Sequence, residues 1–335
     1  MRLVILAHEQ FPDRAKTAVG VLRYADDDVV AVLDRERAGE RVREHVPDVV
    51  DAPIVERMAD APDCDALLIG IAPIGGGFVE SWRPDVRTAI ERGCDVIAGL
   101  HYFLGEDEEF AAIADDHGVS LRDVRRPPDD LTVAEGTAGE VDARVVLTVG
   151  TDCSSGKMTS SFELRDAARE RGLDAAVVPT GQTGIMVAGW GIAIDRAIAD
   201  FAAGATERIV QQAGDHDVAF VEGQGALVHP AYSGITTSIL HGAQPDSLVL
   251  CHNAGNETFG GYDNFMLPSP VEYVALYESM AAPISPATVD AGMLNTADLG
   301  PDDAEAAVAD YAEAIDAPAT DPVRYDADDV LDALL

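Results

Sequence analysis

The sequence predicts an α/β protein made of two domains, each a doubly wound parallel sheet covered by helices. Three observations carry this. Short apolar runs of strand length alternate with helix-like segments along 335 residues. An acidic stretch bearing prolines and glycines, 126–139, breaks the rhythm and reads as a linker. A new strand-length run then enters a glycine-bearing loop and a helix at 145–159. The expected domains are 1–138 and 139–335.

In the first domain, strands are expected at 3–7, 29–33, 67–71 and 96–98, with helices at 84–92 and 106–117, the latter closed by Gly118. In the second, strands are expected at 145–149, 175–178, 218–221, 248–251 and 288–294. A helix over 159–171 should close at Gly172, and Asp302 or Asp303 should cap a helix running through Tyr311. No repeat of 20 to 50 residues is present.

Composition narrows the partners. Sixty acidic residues face 23 basic ones, for a formal charge of −37. A surface so negative repels nucleic acid and anionic lipid. The charge is spread along the chain, as on proteins of a high-salt cytoplasm where screening relieves self-repulsion. No apolar run reaches the roughly 18 residues that span a bilayer, and 3–7 is too short for a signal-peptide core. A cytoplasmic location and reduced cysteines are therefore expected; a homo-oligomer and a small-molecule substrate are the expected partners. Cys64, Cys94, Cys153 and Cys251 form no C-x-x-C pair or zinc spacing.

The strongest local signal is the run Gly150, Thr151, Asp152, Cys153, Ser154, Ser155, Gly156, Lys157, Met158, Thr159. Backbone N–H groups of such a loop and of the helix it opens converge on one point, and the helix dipole adds positive potential. Lys157 is one of only two lysines in the chain, with Lys16. Its compact charge is not replaced by arginine's planar fork. The loop therefore reads as a diphosphate cradle. Five residues rather than four separate its glycines, and Met158 stands where a nucleotide hydrolase places its magnesium-binding hydroxyl. Binding of a diphosphate survives these departures; metal-dependent phosphoryl transfer is placed in doubt.

Two further strand ends carry polar groups. The strand at 218–221 runs into Glu222, Gly223 and Gly225, with His229 beyond. The strand at 175–178 runs into Thr180, Gly181 and Gln182. In open α/β sheets such ends meet the ligand.

These residues carry two resemblances. Gly150-Thr151-Asp152, Gly156-Lys157 and Val221-Glu222-Gly223 are similar to the dethiobiotin synthetase branch of P-loop proteins, whose matching glutamate binds magnesium. A wider match includes the stretches starting at Lys16, Gly99, Asp123, Gly150, Thr180 and Val221, with Met158 inside its pattern. It resembles a two-domain family that includes D-glutamate N-acetyltransferase. That resemblance implies a Rossmann-like N-terminal domain, a P-loop C-terminal domain, acetyl-CoA as donor and an acidic amino acid as acceptor.

Under it, residues 150–159 with Thr180 and Gln182 are expected to bind the cofactor, and Lys16 and Arg23 the acceptor carboxylates. Arg83 and Arg125 are further cation candidates. Glu222 and His229 are expected to be catalytic, ranked as the base ahead of His101 and His252. Cys153 could take the acetyl group, but direct transfer is favoured because no base is evident beside it in sequence. No metal is expected, unless Mg-ATP is used; Thr159 and Glu222 would then hold it. A Mg-ATP-dependent ligase and a non-catalytic nucleotide-binding protein are the alternatives.

Overall fold

The computed structural model describes residues 1–73 and 75–335. Among the described residues the chain forms two compact units. The first comprises 1–127 and 182–193, the second 128–181 and 194–335.

In the first unit the elements run β1 (Arg2–Leu6), α1 (Lys16–Tyr24), β2 (Asp28–Leu33), β3 (Ile54–Val55), β4 (Ala66–Ile69), α2 (Arg83–Glu91), β5 (Asp95–Ala98), α3 (Glu108–His117) and β6 (Leu121–Asp123). The strands pair in parallel in the order β3-β2-β1-β4-β5-β6. Strand order reverses between β1 and β4, the place where such sheets open a crevice. The strand residues are nearly continuous Val, Ile, Leu and Ala because both faces are covered.

Helix α3 starts later than the sequence suggested, and the reason is local. The Asp107 side chain accepts from the N–H groups of Glu109 and Phe110 and so caps the helix. Burial pushes the Asp107 carboxyl up, but hydrogen bonds from Arg83, Tyr102 and the helix end outweigh it and hold it at about 2. Gly118 closes the helix as expected, at φ 68°. Cys64 and Cys94, just ahead of β4 and β5, are free thiols whose sulfurs lie 3.1 Å apart.

The second unit opens with a segment, 128–137, that has no regular element. It is not loose chain. The N–H groups of Glu135 and Thr137 each donate at 2.7 Å to the buried carboxylate of Glu207. A side chain at Gly204 would run into the Thr132 carbonyl, so the segment lies flush on the helix that carries both residues.

From there follow β7 (Arg144–Gly150), α4 (Lys157–Glu170) and β8 (Ala175–Val178). Helix α5 (Gln182–Ala188) belongs to the first unit, where Thr183 hydrogen-bonds Thr17 of α1 at 2.7 Å. The sequence marks Thr180, Gly181 and Gln182 as a strand end that meets the ligand and gives no sign of the helix that starts at Gln182. The second unit resumes with α6 (Ala202–Gln212), β9 (Val218–Val221), α7 (Ser233–Ala243), β10 (Ser247–Asn253) and a hairpin of β11 (Thr258–Phe259) and β12 (Tyr262–Met266). It ends with α8 (Pro270–Ala281), β13 (Thr288–Asn295), α9 (Pro301–Ile315), β14 (Ala319–Thr320) and α10 (Asp328–Leu334).

The second parallel sheet has the order β14-β13-β10-β7-β9-β8. Val146, Phe220, Val249 and Met293 from its strands pack against Leu164 of α4 and Val330, Leu331 and Leu334 of α10. Each such side chain contributes roughly 1.5–3 kcal/mol by leaving water. The cap expected at Asp302 or Asp303 is instead Gly300, with Pro301 opening α9; the two aspartates lie in the first turn, where the helix dipole favours them. No helix is long and apolar enough to cross a membrane among the described residues.

Glu207→Ala removes one buried acceptor from two backbone donors. We expect a loss of about 2–4 kcal/mol in urea unfolding of the second unit, with earlier proteolysis inside 128–137. Glu207→Gln, which keeps one acceptor oxygen, should lose about half of that.

Candidate functional site: a phosphate loop at the end of β7

β7 is the central strand of its sheet, with β9 on one side and β10 on the other. Its end delivers the loop. Ser154 (φ 56°) and Gly156 (φ 92°) take left-handed conformations, so the chain turns back on itself before α4 begins at Lys157. No side chain caps α4 and no acid lies in its first turn. The helix-start N–H groups are therefore left for a ligand.

What keeps this loop open is a pair of tyrosines on α8. Tyr277 donates to the Gly150 carbonyl and Tyr273 to the Thr151 carbonyl, each at 2.7 Å. The Thr151 N–H in turn donates to the Cys251 carbonyl of β10 at 3.0 Å, so the start of the loop is held from both sides. Burial pushes both phenols well above their ordinary range, so they stay protonated donors. On the flank, the Thr148 hydroxyl links β7 to Ser161 of α4 (3.1 Å) and to the Gly223 N–H (3.2 Å).

Lys157 is folded onto the loop, its Nζ donating to the Asp152 carbonyl at 2.7 Å and the Ser155 hydroxyl at 3.1 Å. A side chain at Gly150 would meet that Nζ at 2.7 Å. At Gly223 it would run into the Thr148 carbonyl. Gly223 demands glycine for space, while a side chain at Gly150 would displace Lys157 and Ser155 from their places on the loop.

The Asp152 carboxylate does not face outward for a metal. Its Oδ1 accepts from the Cys153 N–H (2.7 Å) and its Oδ2 from the Gly260 N–H of the β11–β12 hairpin (2.8 Å). Asp152 thus ties the hairpin to the loop. Met158 is buried and Thr159 half-buried in the first turn of α4.

His229 is the most informative side chain of the site. It is 2% exposed and ringed by Tyr232, Phe259 and Tyr262, with centroids 4.8, 5.1 and 5.2 Å away. Its Nδ1 accepts from the Ala231 N–H at 3.0 Å, so the proton of the neutral ring sits on Nε2. Nε2 lies 3.5 Å from Asp152 Oδ1 and has no hydrogen-bond partner among the described residues. Burial lowers the His229 pKa and Lys157 adds to this, while Asp152 opposes them. The ring is therefore neutral at pH 7, with a buried N–H waiting for an acceptor.

This tautomer has two consequences. His229 offers no lone pair at Nε2, which argues against the base role expected for it. Asp152, Cys153 and His229 bring potential ligand atoms within 4.8 Å of one another. Yet a metal at Nε2 would require Nδ1 to carry a proton toward the Ala231 N–H, two donors face to face. With Nδ1 engaged by the Ala231 N–H, the three do not fit a metal ion at His229 Nε2.

The Glu222 carboxylate accepts from the Thr180 and Gly181 N–H groups at 3.2 Å each, and its carbonyl accepts from the Thr180 hydroxyl at 2.6 Å. Thr180 and Glu222 thus meet. Gln182 lies in the first unit, packed where a side chain at Gly99 would touch it. His252 at the end of β10 hydrogen-bonds Thr151 at 2.8 Å and stacks on Tyr311, and burial lowers its pKa.

In the first unit, Lys16 is exposed at the start of α1 and Arg23 is half-buried beside Tyr24. Arg83 is saturated by Glu80, Asp107 and Glu109 at 2.9–3.1 Å and is spent on the fold rather than on an acceptor. Arg125 is buried and donates to the Gly99 carbonyl at 2.8 Å. His101 is exposed, its backbone N–H donating to the Gly76 carbonyl at 2.8 Å.

Sequence reasoning missed Tyr273, Tyr277 and the aromatic ring around His229. The spacing of Tyr273, Tyr277 and Ala281 does mark one helix face, but nothing in it points to the loop.

With this geometry in view, comparison with known proteins is informative. Residues 132–331 match the family described as domain of unknown function DUF1611, P-loop domain, and 35–127 its Rossmann-like N-terminal domain. A protein from Tritonibacter scottomollicae named D-glutamate N-acetyltransferase is 33% identical over 321 residues, 96% of this chain and 94% of the relative. One from a Pseudoalteromonas species with the same name is 34% identical over 79% of each chain. A DUF1611 family crystal structure from Anabaena variabilis aligns at TM-score 0.94 and 39% identity, covering 99% and 98% of the two chains.

Long-range 15N NMR should show His229 as the Nε2–H tautomer with a titration midpoint below 6.5. His229→Phe removes a donor that an anion needs. We expect pyrophosphate affinity to fall about 10-fold, the worth of one hydrogen bond to a charged group, while His229→Gln retains most of it.

Proposed function

The chain belongs to the DUF1611 family of paired Rossmann-like and P-loop domains, and from that premise we propose that it is an acetyl-CoA-dependent N-acetyltransferase acting on an acidic amino acid. D-glutamate is the acceptor by the names of two relatives. The observation that carries the cofactor is the loop: the α4 start has no side-chain cap and no acid in its first turn, and Lys157 is folded onto the loop beside it. That is the chemistry of a diphosphate held by donors alone.

Acetyl-CoA has its own length, and this assigns roles. The arm between its diphosphate and its thioester is comparable to four or five extended residues, about 15 Å. Groups that hold the diphosphate therefore stand far from the carbonyl being attacked. On this reading His229 and the residues of 150–159 bind phosphate, and Glu222 orders the Thr180–Gly181 turn beside them. None of them takes the proton from the acceptor ammonium, and Cys153 does not carry the acetyl group. Lys16 and Arg23 remain the candidates for the acceptor carboxylates, and the cytoplasm of a salt-rich cell is the proposed setting.

The Mg-ATP ligase reading is less well supported. Met158 offers no hydroxyl after Lys157, and both oxygens of Asp152 already accept backbone N–H groups.

Free thiol release from acetyl-CoA, followed in molar KCl with D-glutamate, L-glutamate and aspartate in separate wells, tests the reaction. Release that depends on D-glutamate is expected. Phosphate or ADP from parallel Mg-ATP wells, with no thiol, would transfer the assignment to the ligase. Within an active enzyme, Lys157→Ala and His229→Phe should raise the KM for acetyl-CoA about 10-fold or more while kcat changes only a few-fold. A kcat loss of about a thousandfold at unchanged KM for His229→Phe would restore its catalytic role.

A further inference from the structure

The first unit holds two thiols that its backbone brings together. Cys64 precedes β4 and Cys94 precedes β5, 30 positions apart, and their sulfurs lie 3.1 Å from each other. Each is fixed by the chain around it. Upstream of Cys64, the Arg92 guanidinium donates to the carbonyls of Met58, Ala61 and Pro62. Downstream, the Asp65 N–H donates to the Arg2 carbonyl at 2.8 Å, and the Asp65 carbonyl accepts from the Asp95 N–H at 2.9 Å. The Cys94 N–H donates to the Ala89 carbonyl at 2.9 Å, at the end of the turn through Gly93 that follows α2.

The spacing suits a covalent bond. Ala66 faces Asp95 in the parallel pair of β4 and β5, so Cys64 stands one residue short of level with Cys94. With strands about 4.8 Å apart, that offset separates their α-carbons by about 6 Å. A disulfide spans ~4.4–6.8 Å between α-carbons, and bonding would draw the sulfurs in by about 1 Å. Among the described residues no third ligand joins the two sulfurs, so the pair does not suit a metal ion.

Access to the pair is unequal. Cys94 is buried and Cys64 half-buried. The Cys94 thiol donates to the Cys64 carbonyl at 3.2 Å, which leaves the Cys64 proton for the Cys94 sulfur. Burial, then that contact, pushes the Cys64 thiol up to about 12. Cys64 is therefore protonated at pH 7 and a slow nucleophile.

We infer that Cys64 and Cys94 are an oxidation site of the first unit, converted by a low-molecular-weight disulfide into an intramolecular crosslink. The Cys64 thiolate attacks the small disulfide and releases one small thiol. The Cys94 sulfur then attacks Cys64, forming the protein bond and releasing the second. The protein dithiol is oxidised, the small disulfide is reduced, and both protons leave on the released thiols. The bond closes a ring through β4 and α2 at the starts of the strands. Ligands of such sheets bind at the opposite, carboxyl ends. The crosslink therefore stiffens the unit and leaves the crevice between β1 and β4 open.

The full chain treated with bis(2-hydroxyethyl) disulfide tests this. The reagent is uncharged, so the acidic surface does not repel it. After a quench in acid and alkylation in denaturant, mass spectrometry of the digest should show a Cys64–Cys94 crosslinked peptide that accumulates over hours at about pH 8.5. Cys153 and Cys251 lie in the second unit and should take no part in it. Both tryptophans, Trp82 and Trp190, lie in the first unit, so their fluorescence during heating reports on that unit. Closing a loop of this length should raise its midpoint by about 5–15 °C, reversibly with dithiothreitol. Cys64→Ser and Cys64→Ala, at the half-buried position, should show neither the peptide nor the shift. A mixed disulfide that stops at Cys64 overturns the inference, because Cys94 then fails to reach it. So does complete alkylation of both cysteines after a day of exposure. A crosslink that leaves the midpoint unchanged or lowers it overturns the claim that the fold already holds the pair in place.

Discussion

Two tyrosine hydroxyls on one helix bind the carbonyls of Gly150 and Thr151, the first two residues of the loop. Much of the site depends on that restraint. Peptide groups alternate donor and acceptor, and a loop left to itself satisfies both with water or with its own chain. To gather donors on one side, the acceptors must be bound on the other. Tyr273 and Tyr277 bind two of those acceptors from a helix that lies outside the β7–loop–α4 segment. Thr148 fixes the flank, and glycine at 150 and 223 leaves the space. The cradle is ordered before any ligand arrives, which lowers the entropy lost on binding.

Charge sets the second constraint. The protein is strongly acidic, and an anionic ligand reaches the loop against a repulsive field that salt weakens. Much of the arginine is consumed inside the fold. Arg83 meets three carboxylates, and Arg171 pins Asp328 and Asp332 of α10 beside α4. At the loop, the positive potential comes instead from one lysine, a helix terminus and a neutral imidazole N–H. The helix terminus and the imidazole carry no net charge, which leaves Lys157 as the full positive charge of the loop. Retaining Lys157 in a chain nearly devoid of lysine follows from this.

Much of the architecture was legible in the sequence because a buried parallel strand writes itself as a continuous apolar run. The runs at 175–178 and 218–221 became β8 and β9 with those same limits. The loop was legible as well, since strand, glycines and lysine are consecutive. What was hidden lies in contacts between distant residues. Tyr273 and Tyr277 are 122 and 127 positions from the carbonyls they bind. The role of His229 turns on which of its nitrogens meets the Ala231 N–H, which no pattern of residue types encodes. Helix α5 was hidden for another reason. Thr180, Gly181 and Gln182 look like turn chemistry, and only packing of Thr183 on Thr17 makes 182–188 a helix of the first unit.

The return of 182–193 to the first unit has a consequence for how the molecule is made. Synthesis proceeds from the N-terminus, and domains ordinarily fold as they emerge. Here residues 1–127 leave the ribosome without the helix that covers α1. The first unit must wait, incomplete, while β7, the phosphate loop, α4 and β8 are translated. The second unit is by then begun and still lacks most of its sheet. Neither half is a finished object before the other is under way, so a gene cut at the apparent boundary would separate α1 from its partner.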